Sequence, residues 1–150
     1  MIRAILSCER GNSFVEMALA APVLAALLLG MIDISRVVAD KLELTQIAQR
    51  TIERVQRSGY SPSNSGTLET EAETAAGSGS AATVTAWLEC GNSSTKLSFT
   101  GSCSSGQAYA RYVNITVTRP FTPLFGTRYF PGANSDGTYT INGDAGIRIQ

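Results

Sequence analysis

Residues 14–32 read FVEMALAAPVLAALLLGMI, an apolar run of 19 residues that a single charge, Glu16, interrupts. At about 1.5 Å per residue, a helix of this length spans roughly 28 Å, which is close to the thickness of the hydrocarbon core of a bilayer. Pro22 lies inside the run, and a membrane helix tolerates proline where neighbouring groups satisfy the freed carbonyl. We therefore predict a transmembrane helix over residues 12–33.

The charges on either side of this run predict its orientation in the membrane. Arg3 and Arg10 precede it, and Asp33 follows it directly. Because positively charged flanks stay on the cytoplasmic side, we expect a cytoplasmic N-terminus and an outward-facing remainder. A cleavable secretory signal with a small-residue site at 37–39 is the alternative. It fits less well, because the run exceeds the usual signal core of about 7–15 residues and helical sequence continues through that site.

The same helix continues beyond the membrane as an amphipathic segment. After Asp33, apolar residues recur at steps of three and four among polar ones, and no glycine follows until Gly59. This spacing places the apolar residues on one face of a helix. We therefore predict a single helix over residues 13–57, of which residues 34–57 stand outside the membrane. Its apolar stripe consists of Ile34, Val37, Val38, Leu42, Leu44, Ile47, Ala48, Ile52 and Val55.

Residues 58–150 differ in composition, since these 93 residues contain 26 Ser or Thr and 12 Gly. A turn-rich break opens this outward domain, and a short acidic helix over residues 68–76 follows. From residue 82 the apolar period changes to two, which is typical of half-buried strands. The predicted fold is α+β, with the long helix packed on a small antiparallel sheet. We predict its strands at Ala82–Cys90, Leu97–Phe99, Tyr109–Arg119 and Tyr139–Ile149.

The last predicted strand has an alternative, because Asn142-Gly143 is a strong signal for a two-residue hairpin turn. A turn there would place Asp144 opposite Ile141. A single strand, with or without a bulge at Gly143, instead collects the apolar residues on one face. We prefer the single strand, whose apolar face would carry Tyr139, Ile141, Gly143, Ala145, Ile147 and Ile149.

The composition excludes several classes of function. Twelve basic residues balance 12 acidic ones, which leaves no electrostatic case for binding nucleic acid. Histidine is absent, so serine–histidine and cysteine–histidine catalysis are excluded. Three cysteines cannot form a four-thiolate metal site, and the NSDG segment at 134–137 lacks the closing glutamate of a calcium loop.

The carboxylates of the outward domain show no pairing with a nucleophile or a metal set. We therefore predict that the protein is not an enzyme and holds neither a cofactor nor a metal. The carboxylates considered are Glu69, Glu71, Glu73, Glu89, Asp136 and Asp144.

The residues at the head of the apolar run carry a resemblance to a known family. In RGNSFVE, residues 10–16, a glycine is followed by a glutamate five positions later, directly ahead of the apolar helix. This arrangement resembles the class III signal that prepilin peptidase cuts in type IV pilins and pseudopilins. With its proline inside the span, RGNSFVEMALAAPVLAALLLG is similar to the start of the TadE-like pseudopilins of tight-adherence (Flp-type) pili. The later YVNITVTRPFTPLFG and the terminal GIRIQ are also similar to that family's outer domain.

The resemblance implies roles for three residues. Gly11 would end a cytoplasmic leader of residues 1–11, Asn12 would be the first mature residue, and Glu16 would be the fifth. Pilins often carry Phe at the first mature position, and Asn12 departs from that pattern. A carboxylate near a membrane helix is costly unless it is paired, so Glu16 would pair with the free amine of a neighbouring subunit and set the register of assembly. The alternative is that Glu16 lies in the headgroup layer without a role.

Two of the cysteines are candidates for a disulfide. Cys90 and Cys103 enclose 12 residues rich in glycine and serine. In an oxidising periplasm, a bridge between them would stabilise the domain by about 3 kcal/mol through loop closure. We therefore predict the disulfide, with two free thiols as the alternative. Cys8 lies in the leader and would be removed with it.

The function implied by the resemblance is that of a minor pseudopilin of the bacterial inner membrane, with its C-terminal domain in the periplasm or carried into an extracellular pilus. It would be processed by prepilin peptidase and take part in assembly of a tight-adherence pilus. Its partners would be that peptidase, other pilin or pseudopilin subunits, the pilus assembly platform and the membrane. The alternative is a permanently membrane-anchored periplasmic binding or adhesion module that uses the same span and sheet but keeps its leader.

Overall fold

A single long helix, α1, runs through the first third of the chain. The computed structural model describes residues 9–91, 95–124 and 132–149, with side chains from residue 14 onward. Helix α1 spans Glu9–Ser58, 50 residues, or about 75 Å at 1.5 Å per residue. It ends where Gly59 adopts a positive φ of 77° and donates its N–H to the carbonyl of Val55 at 2.9 Å, as glycine does after many helices. The predicted helix over 13–57 is confirmed, with a start four residues earlier.

A short second helix, α2 (Ser65–Ala76), follows a 3₁₀ turn at Pro62–Asn64. The turn is closed by a reciprocal cap, in which Ser63 N–H donates to Ser61 Oγ and Ser61 N–H donates to Asn64 Oδ1. Helix α2 buries one face at every fourth residue, through Leu68, Ala72 and Ala76. The predicted acidic helix is therefore present and begins three residues earlier than expected.

Within the described residues, four antiparallel strands form one sheet in the order β2-β1-β3-β4. Their bounds are β1 Ala81–Cys90, β2 Leu97–Ser98, β3 Tyr109–Phe121 and β4 Tyr139–Arg148. The α+β prediction is confirmed. The second predicted strand is shorter than expected, because Phe99 leaves the sheet and packs edge-on against Tyr60, with ring centroids 4.8 Å apart.

The Asn142-Gly143 pair lies inside a continuous strand and forms neither a turn nor a bulge. Gly143 pairs with Val117 within an unbroken register that runs from Tyr112–Arg148 to Phe121–Tyr139. A Cβ at Gly143 would lie 2.3 Å from the backbone carbonyl carbon of Leu44 in α1. Glycine is required here because helix and strand backbones approach closely, and not because the chain reverses.

The hydrophobic core lies between the sheet and the C-terminal half of α1. Helix α1 packs mainly on β4 and β3, and α2 packs on β1. The buried Thr51 hydroxyl donates to the carbonyl of Ile47 at 3.0 Å, so this polar group is satisfied within the helix. The core side chains of α1 are Leu44, Ile47, Ala48, Ile52 and Val55, and those of β3 and β4 are Val113, Ile115, Val117, Phe121 and Ile141.

Candidate functional site

The N-terminal half of α1 extends beyond the sheet, and the described part of the chain leaves the large side chains of its apolar run exposed. Its most apolar 18-residue window has a mean hydropathy of 2.2, and none of that window is buried. Phe14 is 83% exposed and Leu28 is 62% exposed. A helix of this length and polarity, uncovered by its own protein, fits a single-pass membrane protein.

The predicted processing residues lie at the start of this helix. Gly11 and Asn12 belong to α1 by their backbone, and the Asn12 side chain lies outside the described part of the chain, as does the whole of Cys8. Glu16 follows about one helical turn later, and its side chain is exposed. The structure therefore places Glu16 on the uncovered part of the helix, remote from the sheet domain.

The apolar stripe predicted for the outer half of α1 divides into two. Val37 and the residues from Leu44 onward pack on the protein's own core. Ile34, Val38 and Leu42 instead remain 66%, 52% and 57% exposed. These three side chains, spaced by four residues, form a continuous row on the helix side that its own sheet leaves uncovered, and we call this row the exposed stripe.

Hydrogen bonds join α1 to the loop after β3 at the point where the apolar run ends. The Asp33 carboxylate accepts the backbone N–H of Leu124 at 3.1 Å and 2.9 Å through its two oxygens. Arg36 lies 3.4 Å from Asp33 Oδ1 and places its guanidinium 5.1 Å from the centre of the Phe121 ring. The sequence had indicated only an orienting charge at Asp33, and its role as a hydrogen-bond acceptor was missed.

Arg119 is a second contact that the sequence reasoning missed. Its Nη2 lies 2.8 Å from Asp40 Oδ1 and 3.0 Å from Glu43 Oε2 on α1. Its Nη1 donates to the carbonyl of Ala76 at the end of α2, at 3.1 Å. The hydrogen bond to Glu43 and the charges of both carboxylates raise the pKa of Arg119, against the opposing effect of burial. A signal was available, because Arg119 is in phase with the apolar Val117 face of β3.

Cys90 and Cys103 are joined in a disulfide, with their Cα atoms 5.6 Å apart. Cys90 ends β1 and pairs with Tyr109, the first residue of β3. The bridge therefore fixes the connection between these strands at the end of the sheet opposite to the Asp33–Leu124 contact.

The carboxylates considered for catalysis are all engaged in local structure. Each accepts a hydrogen bond or forms an ion pair within the fold. Asp136, for example, accepts from the N–H and hydroxyl of Thr138, and these bonds lower the pKa of its carboxyl. The other pairs are Glu69 with Val84 N–H, Glu73 with Ala82 N–H, Glu71 with Arg54, Glu89 with Trp87 Nε1 and Asp144 with Thr116 Oγ1.

A groove of about 770 Å³ opens at the end of the molecule farthest from the apolar run, between the end of α1 and the sheet. Tyr60, Phe99, Arg111 and Ile147 contribute to its lining. Burial, followed by the charge of Glu69, raises the pKa of the Tyr60 phenol. Within residues 14–91, 95–124 and 132–149, no group of three or more Cys, Asp or Glu side chains is placed to hold a metal ion.

Comparison with known families bears directly on α1. Residues 11–52 match the family model of TadE-like proteins, and this segment includes the uncovered apolar run, Glu16 and the exposed stripe. The resemblance of the N-terminal region is thus confirmed, and it is consistent with a TadE-like protein of tight-adherence pili, a family that is structural rather than catalytic. The stretches of the outer domain for which we expected similarity, YVNITVTRPFTPLFG and GIRIQ, lie outside the matched residues. No curated protein and no solved structure matches the chain.

Proposed function

We propose that this protein is a minor pseudopilin that takes part in assembly of a tight-adherence pilus. The N-terminal half of α1 holds it in the bacterial inner membrane, with the leader in the cytoplasm and the sheet domain in the periplasm. Prepilin peptidase cuts after Gly11, and the mature chain begins at Asn12. The family match over residues 11–52 and the uncovered apolar run support this proposal.

The exposed stripe is the observation that favours assembly over simple anchoring. Leu42 lies ten residues beyond Ile32, which places it about 15 Å above the end of the apolar run. At that height the hydrocarbon core no longer covers it. The protein's own sheet also leaves it uncovered, since Ile34, Val38 and Leu42 all remain more than half exposed. A continuous row of large apolar side chains in water is typical of a contact surface, and a helix of another pilus subunit fits it.

Glu16 supplies the second contact of this proposal. A carboxylate within a membrane helix is costly unless it is paired, and the described part of the chain brings no cation to its side chain. The free amine at Asn12 of a neighbouring mature subunit is a suitable partner, because cleavage after Gly11 creates that amine within about one helical turn of the level of Glu16. Glu16 then sets the depth of each helix against the next.

The stripe is tested by Val38→Asp and Leu42→Asp, with Thr83→Asp as the matched control on the far face of the sheet. All three side chains are exposed, so each variant is expected to insert and fold as the wild type does. We expect the two stripe variants to lose crosslinks to neighbouring subunits and to form fewer pili, whereas the control keeps both. Wild-type crosslinking by Val38→Asp and Leu42→Asp would favour the anchored binding or adhesion module.

The role of Glu16 is tested by Glu16→Ala and by Glu16→Gln, which keeps the shape and removes the charge. Both variants insert at least as readily as the wild type, because a charge has been removed from the span. Both are still cleaved after Gly11, because the cut site is unchanged. We expect both to fail in association, scored by crosslinking in membranes and by counting pili. Normal pili from either variant would contradict the charge pairing.

A further inference from the structure

The turn that follows β3, Thr122–Leu124, lies beside the point where α1 leaves the apolar run. Leu124 is held there by its N–H, which donates to both oxygens of Asp33. Asp33 is the first residue after the run of residues 14–32. These hydrogen bonds keep the backbone of Leu124 at the level of Asp33 along the axis of α1.

The side chain of Leu124 is 57% exposed although it is large and apolar. The last two residues of the apolar run on α1, Met31 and Ile32, are also apolar and are 65% and 48% exposed. Arg36, one turn above Asp33, lies 5.1 Å from the Phe121 ring and keeps almost half of its side chain exposed. The apolar side chain of Leu124 suits the acyl chains of a bilayer, and the guanidinium of Arg36 just above it suits the headgroup phosphates.

We infer that the turn Thr122–Leu124 is a second membrane contact, which places the exposed Leu124 side chain in the lipid interface beside the span and holds the sheet domain against the bilayer. The occupant of this surface is lipid because the surface is continuous with the apolar run and lies at the same height. This inference rests on the membrane insertion in the proposed function, but it adds a contact by the sheet domain itself. This contact would keep the sheet domain at a fixed distance from the bilayer and restrict its movement relative to the membrane.

The test uses the full chain with Cys8→Ser, reconstituted in nanodiscs of phosphatidylethanolamine and phosphatidylglycerol. A single added cysteine carries an environment-sensitive NBD fluorophore at Leu124, at Leu27 within the run, or at Arg57 near the distal end of α1. Arg57 lies 24 residues beyond Asp33, about 36 Å along the helix. Cys90 and Cys103 stay unlabelled without reductant because they are bonded to each other. Nitroxide quenchers are placed either on the lipid headgroup or deep in the acyl chain.

We expect the Leu27 label to lose most emission with the deep quencher and the Leu124 label to lose most with the headgroup quencher. The Arg57 label should keep its emission with both. If the Leu27 label is quenched while the Leu124 label behaves like that at Arg57, the lipid contact of the turn is wrong and the membrane anchor stands. If the Leu27 label is not quenched, the insertion in the proposed function is wrong, and the turn contact is wrong with it.

Discussion

The two halves of α1 have similar helical backbones but opposite environments. Leu28 in the N-terminal half is 62% exposed, whereas Leu44 in the C-terminal half is fully buried against the sheet. Both are leucines in the same uninterrupted helix, so helix propensity does not distinguish them. The difference is in what covers them, which is the protein's own core in one case and, in our proposal, lipid and other subunits in the other. Apolar residues in one helix can therefore serve folding in one half and association in the other.

Truncating a leucine in each half tests this division and is expected to give the largest difference in stability. Leu44→Ala removes buried volume from the core and should lower the free energy of unfolding by about 2–5 kcal/mol. Leu28→Ala removes a side chain that is already 62% exposed, and should leave that free energy unchanged. The measurement is thermal unfolding of the full chain in micelles, followed by the near-ultraviolet circular dichroism of Trp87. Equal losses of unfolding free energy in the two variants would show that both halves of α1 contribute alike to folding.

Removing the disulfide tests whether a loss of stability in the sheet domain leaves the N-terminal half of α1 unaffected. The double variant Cys90→Ser with Cys103→Ser should lose about 3 kcal/mol, because the bridge no longer restricts the unfolded chain. Hydrogen exchange should rise most in residues 91–102, while the helical amides of residues 14–32 stay as protected as before. In the wild type, both thiols should resist alkylation until a reductant is added. Immediate labelling of both would contradict the bridge.

Gly143 tests the contact that joins the C-terminal half of α1 to the sheet. In Gly143→Ala the new methyl group would meet the backbone of Leu44 at 2.3 Å, so helix and strand must move apart at a cost of about 1–3 kcal/mol. Gly66→Ala in α2 is the matched control, because a Cβ there meets nothing within 4 Å. The same unfolding measurement should show a loss for Gly143→Ala alone. A neutral result for it would mean that the close approach is not required.

Local patterns predicted the elements well, because each depends on the spacing of neighbouring residues. The period of the apolar residues predicted α1 to within a few residues, and the alternation along Ala82–Cys90 predicted a strand that is present. The split of the apolar stripe was not predicted, since Val38 and Val37 have the same chemistry and differ only in what the distant sheet covers. The Asp33–Leu124 and Arg119–Asp40 contacts join residues 91 and 79 positions apart, and spacing alone carries little information about such pairs.

The proposal that α1 serves as anchor and assembly helix is tested most directly by the mass of the protein extracted from its own membranes. The proposed function predicts a chain that begins at Asn12 and still contains the apolar run, because the cut after Gly11 lies ahead of that run. Gly11→Leu should block the cut and give a chain beginning at Met1. A wild-type chain that begins at Met1 in cells containing prepilin peptidase, or one that begins after Ala39 and lacks the run, would contradict it.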